Sequence, residues 1–220
     1  MALERRRSVV STLPRLLLVL SCWCWCGTAA ARPAPSSSDA ALGSFVKSWC
    51  AGTEYPALCD ASLLPYAAAV RSSPARLSWA ALKVALGGAR VAAAAMEAMA
   101  SAGHLAPMGA EAAQDCVSML GDAVDLLGQS VEAMKGLVGK ERSGGQAAGS
   151  SSRNVRFQVN SVQTWASAAL TNDDMCMEGF KPEAAGGGGV REVVHGHVIG
   201  GAHLTAIALG IINALAKQIP

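Results

Sequence analysis

Aromatic residues are scarce in this sequence: three Phe, two Tyr and five Trp among 220 residues. Strands draw on aromatic and β-branched side chains, while alanine and leucine dominate here, so the composition argues against sheets and for an all-α fold. Charge is scarce too. Charged residues make up 15% of the chain, and Glu4, Arg5, Arg6, Arg7 and Arg15 stand together at its start. From Arg32 onward there are fourteen basic and fifteen acidic groups, a net charge of −1. With no basic stripe and no polybasic run, that balance removes the case for nucleic acid and for an acidic lipid surface as partners.

The common signatures of chemistry are also missing. There is no C-x-x-C pair for zinc, and the Gly186 to Gly189 run lacks G-x-x-x-x-G-K-[ST] and follows no strand, which argues against a phosphate cradle. His195 and His197 point to opposing sides of a helix, and His203 lies ~12 Å of rise beyond His195, too far for one ion. They read as surface histidines. The carboxylate pairs Asp122/Asp125 and Asp173/Asp174 come with no glycine elbow and no lone reactive cysteine, so they read as acids on solvated helix faces. Trp49, Trp79 and Trp165 read as core or helix-seam residues. No catalytic, cofactor or metal constellation emerges, and the expectation is a binding protein instead of an enzyme.

What is present begins with a leader. Basic Arg5 to Arg7, an apolar centre from Leu16 through Trp25 and the small Ala29-Ala30-Ala31 form a secretory signal peptide over 1–31. Its apolar run is shorter than the ~20 residues a spanning helix needs, which argues against a membrane anchor. Three of the seven cysteines leave with it, and Cys50, Cys59, Cys116 and Cys176 remain, an even number for an oxidising compartment. Four cysteines allow three connectivities. The nine-residue spacing of Cys50 and Cys59 favours a local bridge, worth ~2.7 kcal/mol on the chain-entropy model. That leaves a Cys116–Cys176 bridge worth ~4.3 kcal/mol.

Residues 32–39, rich in Pro and Ser, read as a flexible entry. A helix from Asp39, as N-cap, to Trp49 and a second broken run from Ala57 to Val70 form a hairpin over 40–72. Residues 73–219 then hold four amphipathic runs. In 75–101 the apolar positions are Leu77, Ala80, Ala81, Val84, Val91, Ala95 and Met99, with Gly87-Gly88 marking a kink or a close neighbour. In 108–140 they run from Ala112 and Cys116 to Leu137. From about 154 to 180 the stretch QTWASAALTNDDMCMEGF sets Trp165, Ala168, Ala169, Met175 and Phe180 on one side, with a polar break at Asn172-Asp173-Asp174. The last run, 190–219, is expected to be the most buried. Gly- and Ser-rich segments at 141–152 and 182–189 separate these runs. The pattern predicts an up-down-up-down four-helix bundle with an N-terminal helical hairpin.

The polar positions Ser118, Asp122, Asp125 and Gln129 are spaced four, three and four residues apart, a stripe along one side of the second long helix. On helical spacing alone it is a solvated face.

At this level of detail the sequence resembles the plant invertase and pectin methylesterase inhibitor family. The likeness is carried by CAGTEYPALC, DCVSMLGDAVDLL around Cys116, VQTWASAALTNDDMCMEGF around Cys176 and the final LTAIALGIINAL, spanning Ser44 to Leu215. The resemblance implies a helical hairpin on a four-helix bundle, bridges Cys50–Cys59 and Cys116–Cys176, no cofactor, and one-to-one blockade of a cell-wall carbohydrate-active enzyme in the apoplast. In such a family Ser118, Asp122, Asp125 and Gln129, with Thr171 and Met175, become candidates for the partner interface. Met175 stands where a threonine is common in the esterase inhibitors. The Pro-Lys-Phe tripeptide of invertase inhibitors is absent from GKERSGGQAAGSSSRNVRF, which points to pectin methylesterase as partner, with invertase as the alternative. A non-inhibitory structural or storage protein of the same fold is the alternative of another class. An esterase pro-region would run on into a β-rich segment, whereas this sequence ends at Pro220, pointing to a free-standing inhibitor.

Overall fold

The computed structural model describes residues 37–142, 150–180 and 189–220, and every regular element among them is helical. The signal peptide expected at 1–31 and the connections at 143–149 and 181–188 lie outside the described residues. Helix α1 spans Ser37–Cys50 and α2 spans Pro56–Leu63; after a 3₁₀ turn at Leu64–Tyr66 comes the single turn α3, Ala67–Val70. The long helices are α4 (Pro74–Ser101), α5 (Pro107–Arg142), α6 (Ser150–Gly179) and α7 (Val190–Ala216).

Local chemistry sets these boundaries. Pro56, Pro74 and Pro107 each begin a helix, where the missing N–H costs nothing and the fixed φ suits the first turn. Ser73 caps α4, its hydroxyl accepting from the Arg76 N–H at 3.2 Å. Arg71 ends α3 with φ 56°, a left-handed residue that reverses the chain into that cap.

The four long helices close into a ring in which α4 and α6 each pack on α5 and α7. Successive helices are antiparallel. Cys116 near the start of α5 bonds to Cys176 near the end of α6, and Gln163 in the first half of α6 donates to Asn213 near the end of α7 at 2.7 Å. This is an up-down-up-down bundle, and the hairpin of α1–α3 lies against it. The hairpin is closed by Cys50–Cys59, with 5.4 Å between the Cα atoms. Its Val46, Leu63 and Val70 join Leu77, Leu127, Val162 and Ile211 in the main core. A second apolar cluster surrounds the other disulfide, with Ala92, Met96, Leu120, Phe180, Val194 and Val198. Helices α4 and α7 are long and apolar enough to cross a bilayer, yet half of each apolar window is buried in the bundle, the pattern of core helices.

Small residues set the spacing of α4 and α7. A Cβ at Gly88 would stand 2.9 Å from the Leu204 side chain and 3.2 Å from the Gly201 Cα, so the two backbones meet where neither residue has a side chain. Gly87 faces open space. Of the two readings of the glycine pair, close approach of a neighbour is the one realised, within a continuous helix.

Several expectations need correction. Helix α6 runs without interruption through Asn172-Asp173-Asp174, because Asp173 turns inward and is buried against α7 instead of breaking the helix. Its buried face is Val159, Val162, Ala166, Ala169 and Cys176, while Met175 is 49% exposed. Val91, expected inside α4, is 71% exposed because Ala89, Ala92 and Met96 face the core at that level. Helix α7 is not the most buried: it buries nine residues and α4 eleven, since the hairpin covers the start of α4. Ser37, Ser38 and Asp39 belong to the first turn of α1 instead of the flexible entry. Residues 150–152 already belong to α6, and α7 stops at Ala216.

Two stability predictions follow from this packing. Gly88→Ala costs about 1–3 kcal/mol because the helices must separate, whereas Gly87→Ala adds roughly 1 kcal/mol of helix propensity; urea denaturation of the two variants checks the opposite signs. Replacing the Cys116/Cys176 pair by alanine lowers the denaturation midpoint more than replacing Cys50/Cys59, since the loops enclose 60 and 9 residues of chain separation.

Candidate functional site

Helix α5 presents Ser118, Asp122, Asp125 and Gln129 on its exposed side, while Cys116, Leu120, Ala123, Leu127 and Val131 turn into the core. That division is the ordinary consequence of 3.6 residues per turn. Ser118, Asp122 and Asp125 come together with Gly121 and Val124 along one wall of a shallow groove of about 460 Å³, whose other wall is Arg90, Ala93, Ala94 and Glu97 of α4. Gln129 is exposed on the same side of α5 but beyond the groove. Three carboxylates and one guanidinium line the groove, so its balance is acidic.

Thr171 and Met175 lie on the outer face of the neighbouring α6. The Thr171 hydroxyl donates to the Ser167 carbonyl at 3.0 Å, a bond within its own helix that leaves the oxygen able to accept. Met175 precedes Cys176, and Ser118 follows Cys116 by two residues. The Cys116–Cys176 bridge holds those two backbones 4.5 Å apart at their Cα atoms, fixing the register of the two candidate faces.

Arg90 and Glu97 were not among the candidates from sequence. They sit on a different helix, and only the α4–α5 packing brings them to the stripe. Phe157 was missed as well. It is 71% exposed and lies eighteen residues before Met175, five full turns, so both occupy one stripe of α6 with Thr164 and Thr171 between them. The helical spacing of those four positions was the available signal.

Among the described residues no group of three His, Cys, Asp or Glu is placed to hold a metal ion. His195 and His197 are exposed, and His203 stacks on Tyr55 with ring centroids 4.0 Å apart, tying α7 to the turn between α1 and α2. Trp79 lies under the Lys83 ammonium at 3.9 Å, and with Trp49 and Trp165 it packs half-buried on the main core. Asp174 of α6 and Tyr55 of the hairpin are electrostatically perturbed groups. Burial pushes the Asp174 carboxyl up, with the Glu178 charge adding to it. The Tyr55 phenol is raised first by its bond to Glu54, whose Oε1 accepts at 2.9 Å, with smaller contributions from desolvation and from the Glu54 and Asp174 charges.

Fold and site define a disulfide-stapled helical bundle that offers an exposed polar helix face. A family model described as plant invertase/pectin methylesterase inhibitor matches residues 44–211. The chain belongs to this family, one of enzyme inhibitors. It is 34% identical to pectinesterase inhibitor 10 of Arabidopsis thaliana over 79% of its own length, and spans 51% of that relative. Pectinesterase inhibitor 3 of the same plant is 32% identical over 77% of this chain and 78% of its own. The 21 kDa protein of Daucus carota is 31% identical over 83% and 89%. Among solved structures, a mutant form of a pectin methylesterase inhibitor from Arabidopsis aligns over 84% of this chain and 99% of its own, with a TM-score of 0.54 at 18% identity, a likeness of fold.

Proposed function

We propose that this chain binds pectin methylesterase non-covalently, one to one, and lays the outer face of α5, flanked by α6, over the active-site cleft, so restraining pectin de-methylesterification in the cell wall. The observation that carries this reading is the convergence of Ser118, Asp122 and Asp125 on one exposed, acidic groove of a rigid helix pair. An inhibitor that works by covering a cleft needs a surface that does not reorganise on binding, because ordering it would subtract from affinity. A bundle helix anchored by a disulfide two residues from the contact meets that need.

The family name covers two targets, and the absence of Pro-Lys-Phe supports the esterase. The leader pattern supports secretion to the apoplast, where such a partner would be met. The acidic groove fits a cationic or hydrogen-bond-donating rim on the enzyme, with the central contacts dominating the binding energy.

Titration of purified pectin methylesterase, and separately of invertase, with this protein tests the reading. Loss of esterase activity at one equivalent, with invertase unaffected, is the expected result; inhibition of invertase alone, or of neither, overturns it. Asp122→Lys/Asp125→Lys weakens esterase binding by at least about tenfold, or about 1.4 kcal/mol, with an unchanged helical spectrum. Unchanged inhibition by that double variant removes the stripe from the interface.

A further inference from the structure

The acidic groove between α4 and α5 has a counterpart of opposite charge. A second groove, of about 370 Å³, lies between the start of α6 and the end of α7, where Arg156, Asn160 and Gln163 meet Asn213 and Lys217. No carboxylate side chain is among its lining residues. The sequence widens that exclusion, with no Asp or Glu from Ser150 to Thr171 or from Val193 to Pro220. Helix α6 is thus polarised: Arg153 and Arg156 stand near its start, and Asp173, Asp174 and Glu178 near its end.

Hydrogen bonds set the shape of this groove. Gln163 Nε2 donates to Asn213 Oδ1 at 2.7 Å, which ties α6 to α7 and leaves the Gln163 carbonyl to accept and the Asn213 amide to donate. Arg156 donates from one terminal nitrogen to the Ile219 carbonyl, and Ser152 donates to the Pro220 carbonyl at 3.2 Å, so the residues after α7 are drawn to the start of α6. A guanidinium has several N–H donors, and this one bond orients the fork while leaving others for a ligand. Lys217 is exposed at the groove.

Helical phase carries the surface past the groove. At 3.6 residues per turn, Gln163, Arg156, Asn160, Arg153 and Phe157 follow one another round α6 within an arc of ~120°. Arg153 is exposed and Phe157 is 71% exposed. Phe157 and Asn160 are separated by only ~4.5 Å of rise. A phenyl ring next to amides and cations suits a hydroxylated ring that bears a carboxylate. The apolar face of the sugar lies on the phenyl, the amides pair with hydroxyls, and the guanidinium takes the carboxylate in a charge-assisted bond. Three cations are too few for a nucleic acid, whose binding draws on roughly 6–10 phosphate contacts.

We propose that the start of α6 and the end of α7 form a docking site for a polyuronate, with Arg156 and Lys217 on its carboxylates, Asn160, Gln163 and Asn213 on its hydroxyls, and Phe157 under a sugar ring. The choice of a uronate among hydroxylated anions rests on the esterase reading above, since water cleaves a pectin methyl ester to a free carboxylate and methanol. The site belongs to a different helix pair from the α4–α5 groove, and Phe157 lies ~27 Å of rise from Met175 along α6. One face therefore meets the enzyme while another holds the polymer that the enzyme has already de-esterified, which keeps the inhibitor where the reaction has occurred.

Calorimetric titration of the disulfide-bonded protein, with no esterase present, tests the site. Oligogalacturonate is expected to bind, and its fully methyl-esterified counterpart and inorganic phosphate to bind at least about tenfold more weakly. Added salt weakens the interaction. Lys217→Gln and Phe157→Ala, both at exposed positions, each lower the affinity by about three- to tenfold with an unchanged helical spectrum. No binding of oligogalacturonate, equal binding of the esterified oligomer or of phosphate, or wild-type affinity in both variants overturns the proposal. Lys217→Gln is expected to inhibit the esterase as the wild type does, and lost inhibition would place Lys217 in the enzyme interface and overturn the assignment. Because polymer binding and esterase inhibition are measured separately, failure of one is distinguishable from failure of the other.

Discussion

The covalent link between Cys116 and Cys176 is the constraint on which the candidate surface depends. The bundle core is built largely from alanine, leucine and valine, with few aromatics. The bridge ties α5 to α6 at the point where their outer faces carry Ser118 and Met175. The bare backbones of Gly88 and Gly201 do the corresponding task between α4 and α7 by direct contact. One pair is held by a bond and the other meets by close approach.

Within that frame the placement of polar groups separates surface from seam. Asp122 and Asp125 face outward beside Arg90 and Glu97, available to another molecule. Asp173 carries the same functional group, but its position on α6 turns it inward, where it is fully buried. Helical phase decides which aspartates face solvent and which is buried.

Much of this organisation was legible in the sequence because amphipathic periodicity reports helices directly, and the four long runs, the broken hairpin and the outward α5 stripe followed from it. Asp173 was not legible in that way. An Asn-Asp-Asp cluster has the composition of a turn, and only the tertiary contact with α7 shows that burial overrides local preference. Val91 misled for the converse reason: an apolar residue at the right spacing falls outside the core when alanines and a methionine already fill it. Arg90 and Glu97 reach the candidate groove through helix packing, which a single-helix pattern does not encode. The resemblance to the family followed from the cysteine-centred motifs; the proposed choice of partner rests on the absence of Pro-Lys-Phe.

The central claim is that the outer face of α5, with its neighbour on α6, is what meets the esterase. Covalent footprinting of carboxyl and methionine side chains, with and without pectin methylesterase, tests it most directly. The account predicts that Asp122, Asp125 and Met175 lose reactivity in the complex while Glu54 and Asp60 of the hairpin keep theirs. Protection of the hairpin with Asp122 and Asp125 still fully reactive would contradict it.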